Sequence, residues 1–467
     1  MVTLLLSFAW FGTQSDASQP HVLLIMADDM GYGDPGCYNS DSKIPTPHID
    51  RLAAEGMRFT DAHAPAAVCV PTRYGLMTGR YPFRMPDVER GRPKIAEGRT
   101  TIASLLADNG YHTAMVGKWH LGFDFDDMAG KHRGGPVDRG FHSYFGIPAS
   151  LDIPPYYFIR DDQPVSAPTE TIAAHDSDGW TKIQGAFWRE GGIAPGFRHA
   201  DVLPRFTEEA IRVIDRHAEE RPEAPLFLYF ALPAPHTPWL PADLYQGKSG
   251  AGMYGDFVVQ VDDCIGRVLE AFDRHGMTDD TLVVFTSDNG PVWYPHDAER
   301  FSHRSVGPLR GMKGDAYEGG HRMPFLVRWP GKVASGSVSD ETICHVDVLR
   351  TLAGVIGVDL PDGEGADSHN LLPVLLGESD HPVRTTLISE SSKKVLAIRA
   401  GPWKLIPTRG SGGFTQTSTG PDESEGQLYR LDSELGETTN LWAKHPEMVE
   451  RLTRQLAEVQ SGDRTAP

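Results

Sequence analysis

The sequence predicts an α/β fold: a large, mostly parallel mixed sheet flanked by helices, followed by a small C-terminal antiparallel sheet with one helix. Three observations predict it. Continuous apolar runs at His21-Val22-Leu23-Leu24-Ile25-Met26-Ala27, Leu226-Phe227-Leu228-Tyr229-Phe230-Ala231 and Thr281-Leu282-Val283-Val284-Phe285-Thr286 read as strands buried on both faces. Helix-length periodic segments separate them, which is the alternation of a parallel sheet with crossovers. Beyond about residue 385 the texture changes to short strands closed by an amphipathic segment, Pro446 to Val459.

Composition sets the outer limits. A chain of 467 residues with 40% hydrophobic and 23% charged residues is an ordinary globular composition, too long for one compact core. The formal net charge of −19 argues against nucleic acid or an acidic membrane as partner, so an anionic substrate needs a local positive pocket. Four cysteines are too few for a disulfide scaffold, and no bridge to Cys69 is expected. Residues 2 to 12 form an apolar run too short to span a bilayer, and Ser15-Asp16-Ala17 follows. This predicts a signal peptide over 1–18, a periplasmic or secreted product, and no stable membrane insertion after cleavage. The predicted divisions are a main domain at 19–384 and a small α+β subdomain at 385–467.

In chain order, the first apolar run stops at Asp28-Asp29, two adjacent carboxylates that are costly unless a cation meets them. Thr46-Pro47-His48 opens a helix that Gly56 closes. Cys69-Val70-Pro71-Thr72-Arg73 places a thiol just ahead of a helix start, with Pro71 at the first helical position and Gly79 at the end. Thr100 or Thr101 caps a helix from Ile102, and a strand from His112 runs into Lys118-Trp119-His120. From Phe123 to Arg198 the chain reads as long loops and short strands, including Leu151 to Phe158, and such segments are often site walls.

Later runs end at His236 and at Asp288-Asn289, and Pro308 to Gly314 carries Lys313. In an open parallel sheet the carboxyl ends of the strands share one edge, so these polar residues converge. Asp28, Asp29, Asp288 and Asn289 offer only oxygen, which suits Ca²⁺ better than Zn²⁺. His303, Arg304, Arg310, His321 and Arg322 are candidates for reading a substrate's hydroxyls or carboxylate. Trp119, Tyr156, Tyr157, Trp239 and Trp293 could stack on sugar rings, with core packing as the default. Thr408 to Gly413 reads as a flexible loop.

Cys-x-Pro-x-Arg followed by Leu76-x-Thr78-Gly79-Arg80 resembles the signature of the type I, formylglycine-dependent sulfatases of the alkaline phosphatase superfamily. The similarity extends from about His21 to the C-terminus, and Thr72 stands where the signature usually has Ser. The resemblance implies sulfuric ester hydrolysis on a sulfated carbohydrate, with Cys69 oxidised by a formylglycine-generating maturation enzyme to an aldehyde whose hydrate is the nucleophile. It also implies one Ca²⁺ on Asp28, Asp29, Asp288 and Asn289, and a cationic catalytic set of Arg73, Lys118, His120, His236 and Lys313. His236 or Lys313 would protonate the leaving oxygen, and galactose or N-acetylhexosamine sulfates are the expected substrates. Two alternatives remain open: a phosphomonoesterase or phosphodiesterase of the same superfamily, and a non-catalytic glycan-binding relative.

Overall fold

The computed structural model describes residues 19–416 and 424–466. The predicted signal segment lies outside them. Ten strands form one mixed sheet with His21–Asp28 near its centre, paired in parallel with Leu226–Pro235 on one side and Thr281–Ser287 on the other. His112–Lys118 adds in parallel beyond Leu226–Pro235, whereas Phe325–Arg328 runs antiparallel beyond Thr281–Ser287. The central strand is buried along nearly all its length, which is why its sequence is continuously apolar rather than alternating. The helices Val202–Glu220 and Gly252–Arg274 pack on the sheet through buried stripes at helical spacing.

A separate four-stranded antiparallel sheet, in the order Thr386–Glu390, Leu396–Ala400, Trp403–Ile406 and Gln427–Arg430, is covered by Pro446–Ser461. Leu452 and Leu456 of that helix are buried with Ile398, Leu405 and Leu428 of the strands. The large α/β sheet plus small C-terminal sheet is the predicted architecture.

Local structure departs from expectation in four places. The helix Cys69–Thr78 begins at Cys69 itself after an extended Val68, so the thiol lies in the first turn and Pro71 is the third residue. Proline fits there because the N–H groups of a first turn have no intrahelical partner. Gly56 ends its helix in an extended conformation, where its lack of a side chain matters for space: a Cβ would stand 2.3 Å from the Val327 carbonyl oxygen. Leu151 to Phe158 is turns with a single bridge from Tyr156 to Ile193, since Pro154 and Pro155 have no N–H for a ladder. The stretch Thr408 to Gly413 is pinned rather than free. Gln427 Nε2 donates to the Thr408 and Gly410 carbonyls at 2.8 and 3.0 Å, and Ser411 is 3% exposed.

Candidate active site

Parallel register delivers the predicted residues to one edge. Asp28 pairs with Pro235, Ala27 with Ser287, and Ala231 with Gly117, so the residues after these strands emerge side by side. Asp29 and His120 take left-handed backbone conformations at φ 66° and 59°, strain that turns each chain sharply out of the sheet.

Cys69 Sγ donates to Asp28 Oδ1 at 3.4 Å and accepts from Lys313 Nζ at 3.5 Å. Lys313 Nζ also grips Asp29 Oδ1 and Oδ2 at 2.6 and 2.8 Å. Arg73 reaches from one turn further along the helix to Asp288 Oδ2, with Nε at 3.1 Å and Nη2 at 2.9 Å, and donates to the Lys118 carbonyl at 3.0 Å. Lys118 Nζ is ion-paired with Asp28. Asn289 Nδ2 donates to Asp29 Oδ1 at 2.6 Å, leaving Asn289 Oδ1 buried with no partner among the described residues. His236 Nδ1 donates to the Thr237 carbonyl at 2.6 Å, which leaves Nε2 as the atom able to take or give a proton, 3.7 Å from Asp29 Oδ2.

Burial opposes ionisation of Asp28, but the charges of Lys118, His236, Arg73 and Lys313 outweigh it and hold this carboxyl well below the usual range. Asp288 goes the other way: burial raises it, and the neighbouring charge of Asp28 raises it further. Burial, then the Asp288 charge, pushes the Cys69 thiol above its ordinary value. An unmodified Cys69 is therefore a protonated thiol at neutral pH and a weak nucleophile. His120 is driven well below the ordinary imidazole range by burial and by the Lys118 and Arg73 charges, so it is neutral, with Nδ1 buried and unpartnered.

The donor set suits a hard cation. Three carboxylates and the free Asn289 oxygen are oxygen ligands only, and an orphaned buried carbonyl is costly unless something binds it. The four ligand atoms that lie mutually within 4.8 Å come from Asp28, Asp29, Cys69 and His236, while Asp288 Oδ2 is taken by Arg73. Asp288 Oδ1 still faces inward, accepting from the Asp29 N–H at 3.2 Å.

All ten predicted residues thus sit in one cluster. Four of the second group of candidates do not, and the fifth, Arg304, is exposed. His303 is buried against Asp34, Arg310 lies over the Tyr317 ring, and His321 and Arg322 belong to a separate buried network with His63, Glu318 and Lys404. Trp119, Tyr156, Tyr157, Trp239 and Trp293 are all 5% exposed or less and pack in the core, with Tyr157 alone of the five also reaching the wall of the cleft described below. One residue escaped the sequence reading. Asp152, 4% exposed, has Oδ1 without a hydrogen-bond partner among the described residues, 4.0 Å from His236 Nδ1. Nothing in its local sequence separates it from the other acids of an irregular segment.

Thr72, the departure from the usual Ser, donates its hydroxyl to the Ala66 carbonyl at 2.8 Å and is fully buried. Buried and tied to the backbone in this way, it is unavailable as a nucleophile. Thr72→Ala is expected to cost about 1–2 kcal/mol of stability while leaving kcat of matured protein within a few-fold. Thermal melts and single-turnover rates check this.

Beside the cluster, a cleft of about 1500 Å³ opens between the main domain and the C-terminal sheet, with His120 and Val70 among its lining residues.

Comparison with known proteins gives this geometry a context. The sulfatase family profile matches residues 20–358. An N-acetylgalactosamine-6-O-sulfatase of Bacteroides thetaiotaomicron is 34% identical, covering 96% of this chain and 94% of its own. Human arylsulfatase A is also 34% identical, over 95% of this chain and 88% of its own length. A solved B. thetaiotaomicron sulfatase, described in connection with glycosaminoglycan metabolism, superposes with a TM-score of 0.82 at 31% identity, covering 96% of this chain and all of the other.

Proposed function

The chain belongs to the sulfatase family, and from that premise we propose that it removes sulfate from a sulfated carbohydrate using a formylglycine made from Cys69 and one Ca²⁺. The observation that carries the reading is the position of Cys69 Sγ, within 3.5 Å of both Asp28 of the oxygen-ligand set and Lys313.

Asp28, Asp29, Asp288 and Asn289 would hold the cation, which supplies charge to offset the sulfate oxygens and lowers the barrier to loss of a proton beside it. Formylglycine supplies a geminal diol: one hydroxyl to attack sulfur, the other to allow sulfate to leave without a second attack on sulfur. Lys118 and Lys313 bind the non-bridging sulfate oxygens as negative charge builds on them. Arg73, held on Asp288, orients the nucleophile's carbon at the helix start. His236 gives its Nε2 proton to the departing sugar oxygen, with the Asp152 charge behind the ring. Lys313 is the poorer acid for that step, since Asp29 raises its pKa against the effect of burial and holds it beside Cys69. Neutral His120 accepts the proton that accompanies sulfate release.

N-acetylhexosamine or galactose sulfates are the proposed substrates, in keeping with the relative named for N-acetylgalactosamine-6-O-sulfate. A maturation enzyme must act on Cys69 before folding closes over it, because the residue is only 5% exposed. Among the described residues no helix is long and apolar enough to cross a membrane, and the apolar run at residues 2 to 12 supports export to the periplasm or beyond.

The test is kcat/KM of matured protein on sulfate and phosphate esters with the same leaving group, and on sulfated sugars against an aryl sulfate. Sulfate over phosphate is expected, because Lys118 and Lys313 stand where a two-metal phosphatase needs further ligands. Preference for phosphate would place the protein with the phosphoesterases, and absence of all turnover in protein carrying the aldehyde would make it a binding relative.

A further inference from the structure

We propose that the cleft outside the ester site takes an oligosaccharide bearing a second anionic group, a uronate carboxylate or another sulfate, and that Lys94 and Lys394 bind that group. The inference rests on the sulfatase reading and names the substrate more closely.

The cleft's volume, about 1500 Å³, exceeds the ~300–1000 Å³ of ordinary ligand pockets, so it has room beyond the sugar that carries the ester. Its walls run against the charge of the molecule. The chain carries −19, yet Arg90, Lys94, Arg189 and Lys394 line the cleft against only Asp87 and Glu390. Arg189 is spoken for by Asp152. Among the described residues Lys94 Nζ donates only to the carbonyls of Val88 and Glu89, at 2.6 and 3.0 Å. Among the described residues neither Lys94 nor Lys394 has a carboxylate oxygen within 4.0 Å. Burial lowers the Lys94 ammonium, the nearby Asp87 charge raises it and the Lys394 charge lowers it again, so the two lysines lie within one another's field at this cleft. Two such cations are relieved by an anion placed between them.

Both lysines are tied by backbone to the catalytic segments. The Lys94 N–H donates to the Leu121 carbonyl at 2.8 Å, one residue beyond His120. Lys394 sits at φ 62° on the hairpin turn of the C-terminal sheet, where its N–H donates to Ser391 at 2.9 Å. Two residues earlier in that turn, Ser392 donates to the Gly314 carbonyl at 2.9 Å, beside Lys313, and Glu390 donates to Pro65 at 3.0 Å, on the segment leading to Cys69. The turn is thus fixed relative to the sulfate site, so a group held by these lysines would keep a set position relative to Cys69.

The experiment measures kcat and KM of the matured enzyme on three sulfated disaccharides: a neutral one, its uronate counterpart and a disulfated counterpart. The comparison protein is the Lys94→Gln/Lys394→Gln double variant. The expected result is a preference of about tenfold or more for an anionic disaccharide, carried by KM and weakened by salt. The variant should lose that preference while its kcat/KM on the neutral disaccharide stays within about twofold. Which of the two anionic substrates shows the effect identifies carboxylate or sulfate. Equal kcat/KM on neutral and anionic substrates, or a variant that keeps the preference or slows on all three alike, overturns the proposal while the carbohydrate reading stands. Wild-type turnover of aryl sulfate with none of the disaccharides overturns both.

Discussion

Cys69→Ala is expected to abolish turnover, by on the order of 10⁴-fold or more in kcat, with little loss of stability. The thiol makes two weak contacts, to Asp28 and Lys313, and the ion pairs Lys313–Asp29 and Lys118–Asp28 survive without it. Removing one small buried atom in a helical first turn should therefore lower stability by only about 1 kcal/mol. Cys69→Ser tests the chemistry separately from the shape. It keeps a hydroxyl in place, yet a serine sulfate ester has no route of release except a second attack on sulfur, so steady turnover should be lost equally. Protein in which Cys69 is unoxidised should also be inert, because burial and the Asp288 charge keep the thiol protonated. Peptide mass spectrometry of active and inactive preparations checks both points: activity must scale with the aldehyde fraction, and full activity with intact cysteine would remove formylglycine from the mechanism.

The parts of the site that were legible in the sequence share one physical signature, a polar residue at the end of a continuous apolar run. Asp28 and Lys118 end, and His236 and Asp288 directly follow, strands buried on both faces, and a parallel sheet must bring such ends together. The Cys69 segment is legible for another reason, since Pro71 and Gly79 mark a helix and the Cys-x-Pro-x-Arg spacing is rare. What the sequence could not supply is contact between distant segments. Asp152 looks like any loop acid until His236 arrives beside it. Lys404, 1% exposed, ion-pairs with Glu318 and Glu437 and so joins the C-terminal sheet to the main domain, but it reads in sequence as one more alternating strand residue. The same blindness made His321 and Arg322 look like substrate readers, when their partners are His63, Glu318 and Asp61 inside the molecule. The Thr408 to Gly413 loop misled in the opposite sense. Its glycines signal close approach rather than freedom: a Cβ on Gly413 would lie 2.1 Å from the Gly314 oxygen.

Removal of Ca²⁺ by a chelator is expected to reduce kcat/KM by at least about 10²-fold and to lower the melting temperature by several degrees, both restored by Ca²⁺. The charge balance gives the reason. Asp28, Asp29 and Asp288 carry −3 when ionised, and Arg73, Lys118 and Lys313 carry +3, so the cluster alone is neutral toward a sulfate monoester of charge −1. A divalent cation makes it attractive, and in a buried site that difference is large. The same ion would satisfy Asn289 Oδ1, which no protein group among the described residues meets, and would relieve the repulsion from Asp28 that helps to raise Asp288. At a hundredfold excess over Kd, binding to the folded state alone is worth about 2.7 kcal/mol, which is ample for the shift in melting. Asn289→Ala separates the metal from the charge network, because it removes a neutral donor and leaves every ion pair in place. Its calcium affinity should fall about tenfold or more, and excess Ca²⁺ should rescue part of the lost kcat/KM. Metal analysis of active protein should find one calcium per chain; two zinc ions and no calcium, or an Asn289→Ala variant with wild-type affinity, would take these four residues out of the metal site.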